Sequence, residues 1–570
     1  MPGFLSSTNS KINLFSDQRQ LVSKSIDRED LFVQQYTINK FLQDKIIYGD
    51  PNYIFLIEGV VFNYNVLLKE YKTADKIELI KEMYGKEGDA FCNKFRGSFS
   101  GLFYDINAKK LIVFTDHIGD KPIFYAENGG DLYVGSEIKF VTHMLRQTGA
   151  SIELNETAAY SSLTFGYMIE EMTYVDNVNR LLGGNYLVFQ YGKLSVYTYF
   201  QFEYKPNYQL SKKDIIDRLD QLFAASVQAQ VDKNAEYGYQ NWTSLSAGLD
   251  SRMTTYALER IVGKEFYSYT YSPIGFADHK TSGNIGGQLQ YGHYVHMANY
   301  IGSLLKNIDE SIYENEGLYM YFGAAVLKDF FEILNKTNIG VIHTGQIGDV
   351  IVGTFANQGD ETISTLKGYD LHSKRLAKSF YAKYDIDGLL KKYKGRELFS
   401  FYNRGFNGVN SGANPVLQNF TETYSPFCNV EFIAFCFSIP YEIRRNKILY
   451  DQWIVTKYPK AARFRHNGVR LIGKPNLNKI IITINKVQRK LKKLFFENAT
   501  AINSVTPINI WSLNPSTAKA MDDYFNSHIH KMNDYPQLKE DMVELYKNGN
   551  PLECNQVLTL LGAYNLLIRK

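Results

Sequence analysis

The sequence predicts a mixed α and β protein of two domains, a sheet-rich N-terminal part followed by an open α/β layer with a helical C-terminal part. Three observations predict it. Up to about residue 205 short apolar runs are separated by turn residues; from Ser211 apolar positions recur at helical spacing; strand-like and helical runs then alternate. The N-terminal runs are 53–62, 99–105, 110–116, 122–126, 131–136 and 185–191, divided by turns such as Asn128-Gly129-Gly130 and Leu182-Gly183-Gly184. Their even spacing predicts antiparallel sheets, and the clearest helix among them is predicted over Glu137 to Leu145. Ser211 and Asp214 form a variant capping box, after which Ile215, Leu219, Leu222 and Phe223 carry a helix toward Tyr237-Gly238. Strands follow at 242–246, 266–271 and 339–345, with a helix to about Gly263, and helices dominate from about residue 370 to an apolar terminal helix over Gln556 to Ile568. The switch of period and the Tyr204-Lys205-Pro206-Asn207 break place the boundary near 205, giving domains 1–205 and 206–570.

Composition narrows the class. With 45% apolar and 21% charged residues over 570 positions, disorder and collagen-like repeats are excluded and a large core is expected. A formal charge of +4 on so long a chain gives no argument for a nucleic-acid partner or an acidic membrane. The four cysteines, at 92, 428, 436 and 554, form no Cys-x-x-Cys pair, so neither a zinc site nor a disulfide framework is expected, and a reducing cytoplasm fits. No signal peptide or membrane span is read.

The sharpest chemical feature is Ser244 to Arg252, SLSAGLDSR, where a buried strand runs into a helix. Small residues there let backbone N–H groups approach a phosphate, hydroxyls add donors, and the helix N-terminus supplies partial positive charge. Asp250 would repel that phosphate unless a cation bridges them, which points to magnesium shared with pyrophosphate oxygens. The alternative is a plain strand-to-helix turn. A second loop, His343 to Asp349, leaves another strand at the same expected sheet edge, so Asp349 can join Asp250 on one metal or else only cap a helix. Gly468 to Lys474 has Gly-x4-Gly-Lys spacing but is set aside as a nucleotide loop, because Pro475 stands where a metal-binding hydroxyl is needed. His279, His293 and His296 are assigned to a helical stretch in structural roles, Cys92 to the core, Tyr and Phe between Tyr313 and Phe331 to packing, and the basic run Lys486 to Lys493 to a solvated face.

Taken together, the two loops resemble those of the asparagine synthetase family, whose pyrophosphate loop reads SGGLDS and whose second loop usually reads SGEGSDEVFGG. The N-terminal half agrees independently: residues 96–105, 115–125 and 132–141 resemble the RGxFAFALYD, RDHLGxxPLYY and YVASEMKAL stretches of the family's glutaminase domain. The resemblance implies an α+β Ntn-hydrolase-like sandwich followed by an α/β ATP-pyrophosphatase domain. It also implies ATP and Mg2+ as cofactors, with Ser246, Gly248, Leu249, Asp250, Ser251 and Gly345 at the nucleotide and Asp250 and Asp349 at the metal.

The departures carry as much. Family glutaminases use an N-terminal Cys as nucleophile; here the chain reads Met1-Pro2-Gly3-Phe4, so glutamine hydrolysis is not expected. Glu58 and Val60 replace the Asn and Glu of the glutamine-holding stretch. Loss of that Cys is shared with β-lactam synthetases and lasso-peptide cyclases, in which an amine of the substrate itself attacks an adenylated carboxylate. Within the second domain Ala247 replaces a loop Gly, Gln346 replaces a Glu that handles a proton, and Asn467 falls near the place of a late Lys. Gln346 and Lys474 are the candidate catalytic residues, with Arg463, Arg465 and Arg470 further candidates for the missing cation.

The function expected is ATP-dependent amide formation through an acyl-adenylate without glutamine, possible versions being peptide macrocyclisation and a reaction with free ammonia. Its partner is a carboxylate-bearing small molecule or peptide, with a leader-binding or protease partner in the peptide case. The alternative is a catalytically impaired nucleotide-binding or scaffold pseudoenzyme of the same family.

Overall fold

The computed structural model describes residues 2–9, 11–289, 292–298, 307–358, 372–393, 395–466, 469–472 and 508–569. Twelve strands build the N-terminal part: β1 (Gly3–Ser7), β2 (Val22–Asp27), β3 (Phe32–Thr37), β4 (Ile47–Gly49), β5 (Tyr53–Val61), β6 (Gly97–Asp105), β7 (Lys110–Thr115), β8 (Ile123–Asn128), β9 (Asp131–Gly135), β10 (Asn179–Leu181), β11 (Asn185–Gln190) and β12 (Lys193–Thr198). They form two six-stranded antiparallel sheets, ordered β10-β8-β9-β1-β3-β2 and β12-β11-β7-β6-β5-β4.

Strand alternation explains the layering. In β5, Ile54 and Leu56 point into the space between the sheets, where they meet Phe4, Val33, Leu102, Val113 and Val134. Phe55 and Ile57 point the other way, onto α1 (Tyr64–Tyr71) and α2 (Lys76–Glu87) through Tyr64, Leu79 and Met83. Because both faces of the sheet are covered, the strand reads as a continuous apolar run and not as a polar–apolar alternation. The outer face of the other sheet is covered by α3 (Ile138–Gln147), and α4 (Glu156–Phe165) joins the same core.

Every strand run read from the N-terminal sequence is present, and α3 lies within a few residues of its expected place. Beyond the helix predicted over Glu137 to Leu145, α1, α2 and α4 also form. Their signals are local, since Asp75 caps α2 by accepting from the amides of Ile77 and Glu78, and Asn155 caps α4 through the amide of Ala158.

The second half holds a five-stranded parallel sheet, ordered β15-β14-β13-β16-β17, from β13 (Gln240–Ser244), β14 (Phe266–Ser272), β15 (Gly292–Met297), β16 (Ile339–His343) and β17 (Thr423–Tyr424). It is flanked by α5 (Lys212–Glu236), α6 (Leu249–Val262) and α7 (Ala277–Leu289). Ser211 caps α5 as expected, its hydroxyl accepting from the Asp214 amide. One sequence reading is overturned: His293 and His296 lie on strand β15, paired in register with Ser268 and Tyr271 of β14, and only His279 is helical. An aromatic ladder of Trp242, Tyr267 and Tyr294 crosses three strands at ring-centroid spacings of 5.1 and 5.2 Å, a pairing that local sequence does not reveal. Among the described residues no helix is long and apolar enough to cross a membrane.

Candidate functional site

From β13 the chain proceeds outward to β14 and β15, then returns to the opposite side of β13 as β16. The sheet order therefore reverses between β13 and β16, and the crevice beyond the carboxyl ends of two such strands is where open α/β sheets gather ligands. Both loops singled out in the sequence leave from there.

The first loop joins β13 to α6. Gly248 is the helix N-cap, and no side chain caps it. Hydroxyls organise the turn instead: the Ser246 amide donates to Ser251 Oγ at 3.0 Å, the Gly248 amide donates to Ser246 Oγ at 3.0 Å, and the two hydroxyls lie 2.9 Å apart. Ala247 is not among the residues with a left-handed backbone, and Gly248 has φ −68, so Ala is tolerated in this loop without strain. The Ala247 amide already holds one carboxylate, donating to Asp278 Oδ1 at 2.6 Å. Arg252 sits under the turn, its two terminal nitrogens donating to the carbonyls of Ala247, Phe464 and Arg465.

The second loop packs directly on the first. A Cβ at Gly345 would lie 2.5 Å from the Ser251 amide nitrogen, and one at Gly348 would lie 2.9 Å from Asp250 Cγ, so both positions require glycine for close approach. Between them Ile347 takes φ +56, an unfavourable conformation for a β-branched residue that the surrounding packing enforces. Asp349 follows. It makes no helix-capping bond; its Oδ2 accepts from Lys447 Nζ at 2.6 Å and Thr354 Oγ1 at 3.0 Å. The alternative weighed for Asp349, that it only caps a helix, is therefore set aside.

Asp250 is partly accessible, yet burial, together with the nearby Asp349 charge, pushes its carboxyl up to about 7. The Tyr450 hydroxyl donates to it and works in the opposite direction. Gln346 stands between the glycines, its carbonyl accepting from Ser425 Oγ at 2.8 Å and its side-chain oxygen 3.5 Å from Thr344 Oγ1. The structure thus brings Ser246, Gly248, Leu249, Asp250, Ser251, Gly345, Gln346 and Asp349 together. Lys474, Asn467 and the basic run 486–493 lie outside the described residues. Tyr450, Lys447 and Asp278 escaped the sequence reading, because each reaches the loops from a helix or turn that only the tertiary fold brings close. Among the described residues no group of three or more His, Cys, Asp or Glu side chains could hold a metal by itself.

In the N-terminal sandwich the stretch carrying Glu58 is filled. The Glu58 carboxylate, fully buried, accepts from Gln35 Nε2 at 3.1 Å and Thr37 Oγ1 at 2.8 Å and lies 3.3 Å from Lys45 Nζ. Lys45 is also 2.7 Å from Glu422, just ahead of β17, and Glu422 is 2.9 Å from Lys121. Burial would raise the Glu422 carboxyl, but the two ammonium groups more than offset that and hold it at about 2. Cys92 is completely buried, and burial raises its thiol, as expected for a packing role.

A glutamine amidotransferase domain model matches residues 44–200. The chain is 25% identical over 221 residues to a putative glutamine-hydrolysing asparagine synthetase 2 of Methanocaldococcus jannaschii, a span covering 37% of this chain and 42% of that protein. It is 26% identical over 226 residues to the glutamine-hydrolysing asparagine synthetase 2 of Bacillus subtilis, covering 37% and 29%. The matched span is therefore less than half the length of either relative. Among solved structures, the glutamine phosphoribosylpyrophosphate amidotransferase from B. subtilis complexed with ADP and GMP aligns with 55% of this chain and 81% of its own, at 8% identity. Its TM-score of 0.24 marks a slight likeness.

The layered sandwich and the matched span define a protein with a glutamine amidotransferase-type domain. Over the spans matched, the chain is similar in sequence to glutamine-hydrolysing asparagine synthetases.

Proposed function

We propose that the C-terminal α/β layer is an ATP-pyrophosphatase-type domain that forms an amide by way of an acyl-adenylate, without drawing ammonia from glutamine. The observation that carries the reading is the close packing of the two loops at the β13–β16 switch, which sets Asp250 and Asp349 beside each other at an uncapped helix N-terminus.

The residues fit ATP and Mg2+. Magnesium is usually held by one or two carboxylates together with substrate phosphates, and two adjacent carboxylates are what the site offers. Asp250 and Asp349 would hold the metal, which when bound neutralises charge on the leaving pyrophosphate. The amides and hydroxyls of Ser246 to Ser251 would take phosphate oxygens, exchanging their present internal hydrogen bonds for ligand ones. Gln346 carries no basic group; its amide is suited to orient an incoming amine by hydrogen bonds while the proton leaves by another route.

Independence from glutamine rests on two features of the sandwich. Pro2, at the head of β1, has no thiol, and Glu58, in the stretch resembling the family's glutamine-holding segment, is bound internally by Gln35, Thr37 and Lys45. The amine then comes from ammonium or from the acceptor molecule itself, the latter being the logic of lasso-peptide cyclases and β-lactam synthetases.

The test is AMP release from ATP by the full chain, with ammonium or peptide amines supplied alongside a panel of carboxylic acids. AMP formation that glutamine does not stimulate supports the proposal; AMP formation that requires glutamine, or none with any acid, contradicts it. One observation favours a second reading, a nucleotide-binding protein that has lost catalysis: both site carboxylates are already satisfied internally, by Tyr450 and by Lys447. That reading predicts ATP binding with no AMP released.

A further inference from the structure

The cation facing Asp349 comes from an unusual piece of backbone. Asn446 (φ 56, ψ 24) and Lys447 (φ 59, ψ 16) are consecutive left-handed residues, neither of them glycine, and they immediately precede the helix Ile448–Lys457 that carries Tyr450. Such a pair persists only where its surroundings over-determine it, and here they do. The preceding Arg444 is fully buried, its guanidinium donating to Glu397 Oε2 at 2.9 Å and to the Ile439 carbonyl at 3.0 Å. The turn also lies against the end of the second loop, where a Cβ at Gly353 would fall 2.4 Å from the Arg444 carbonyl oxygen. Lys447 is thus carried on an anchored turn that is registered to Asp349.

Its ammonium is not sealed in. The Lys447 and Asp349 side chains retain 36% and 33% of their surface, in contrast to the Lys45–Glu422 pair, which retains none. An ammonium has three donors, and the contact with Asp349 uses one. Of the other cations near the loops, Arg252 donates through its two terminal nitrogens to main-chain carbonyls beneath the first loop, and Lys460 pairs with Glu259.

We propose that Lys447 is a phosphate-binding residue of this site, its ammonium shared between Asp349 and phosphate oxygens of a nucleotide held on the 246–251 loop. This rests on the nucleotide reading given above and adds to it a cation that the loops themselves lack. A lysine acts here as a point charge, which tolerates the change of phosphate geometry between a triphosphate and released pyrophosphate.

The experiment is calorimetric titration of the full chain with inorganic pyrophosphate, in the presence of Mg2+ and again with EDTA, for wild type, Lys447→Ala, Lys447→Gln, Lys447→Arg and Asp250→Asn. Loss of one charge-assisted hydrogen bond corresponds to about a tenfold or greater weakening. The expected result is that loss in Lys447→Ala and Lys447→Gln, with a shallower salt dependence, and recovery in Lys447→Arg. Lys447→Gln keeps a donor for Asp349, so it separates the charge from the hydrogen bond if the alanine variant folds poorly. Wild-type affinity in Lys447→Gln together with loss in Asp250→Asn would overturn the lysine assignment and leave the nucleotide reading standing. A wild-type chain with no affinity for pyrophosphate or for ATP with Mg2+ would overturn both.

Discussion

Glu58 and Glu422 in and beside the N-terminal sandwich are wholly buried and matched to Lys45 and Lys121. Asp250 and Asp349 in the α/β layer stand next to each other, one carboxyl pushed up to about 7, the other paired with a lysine that still meets solvent. In the first cluster each carboxylate is met by a lysine ammonium group held within the fold. In the second, like charges are held together at a helix N-terminus, which costs stability unless a ligand repays it. The difference teaches that a carboxylate cluster matched by buried lysines serves to join elements, whereas adjacent carboxylates with an accessible lysine leave charge available to a ligand.

The largest effect is expected from breaking the scaffold side. Glu422→Gln leaves the Lys45 and Lys121 ammonium groups without the carboxylate they share, and removing one partner of such a buried cluster costs about 3–5 kcal/mol in denaturant unfolding. A loss below about 1 kcal/mol would show that the cluster does not tie the sandwich to β17. The same carboxyl gives a pH signature. Its folded value of about 2 lies below its ordinary 4.5, so its contribution is present in full above 4.5 and is lost as the pH falls toward 2. Acid destabilisation over that window is expected to be shallower in Glu422→Gln; equal slopes would assign it to other groups.

A smaller effect belongs to the seam between the two loops. Gly345→Ala places a methyl 2.5 Å from a backbone nitrogen of α6, which no side-chain rotation relieves, and about 1–3 kcal/mol of stability is expected to be lost together with nucleotide affinity. Unchanged stability and binding would mean that the loops separate easily. The smallest effect is that of Ser246→Ala, which removes the acceptor of the Gly248 amide; about 0.5–1.5 kcal/mol is expected. If the open loop is a ligand site, that loss shrinks when ATP and Mg2+ are present, because binding to the folded state adds stability.

Much of this was legible beforehand, for identifiable reasons. The six N-terminal strand runs are marked by turn residues at both ends, and the two loops are marked by small residues between an apolar strand and a helix. Their adjacency at one sheet edge follows from parallel topology. What escaped was set by long-range packing. β15 reads as helical because nothing local in residues 292–297 announces pairing with β14, and its aromatic partner Trp242 is more than fifty positions away. Lys447 and Tyr450 reach the loops from 98 and 200 positions away in the chain, and no spacing in the sequence links them. The helix α2 was different, since Asp75 and Glu78 spell a capping signal before Leu79, Ile80 and Met83.

The central claim is that the α/β layer keeps a working nucleotide site while the sandwich has been filled. Calorimetric titration of the full chain with ATP, with and without Mg2+, alongside Asp250→Asn, tests it most directly. The account predicts Mg2+-dependent binding by the wild-type chain and its loss in Asp250→Asn with thermal unfolding unchanged. No binding by the wild-type chain, or equal binding by both proteins, would contradict it.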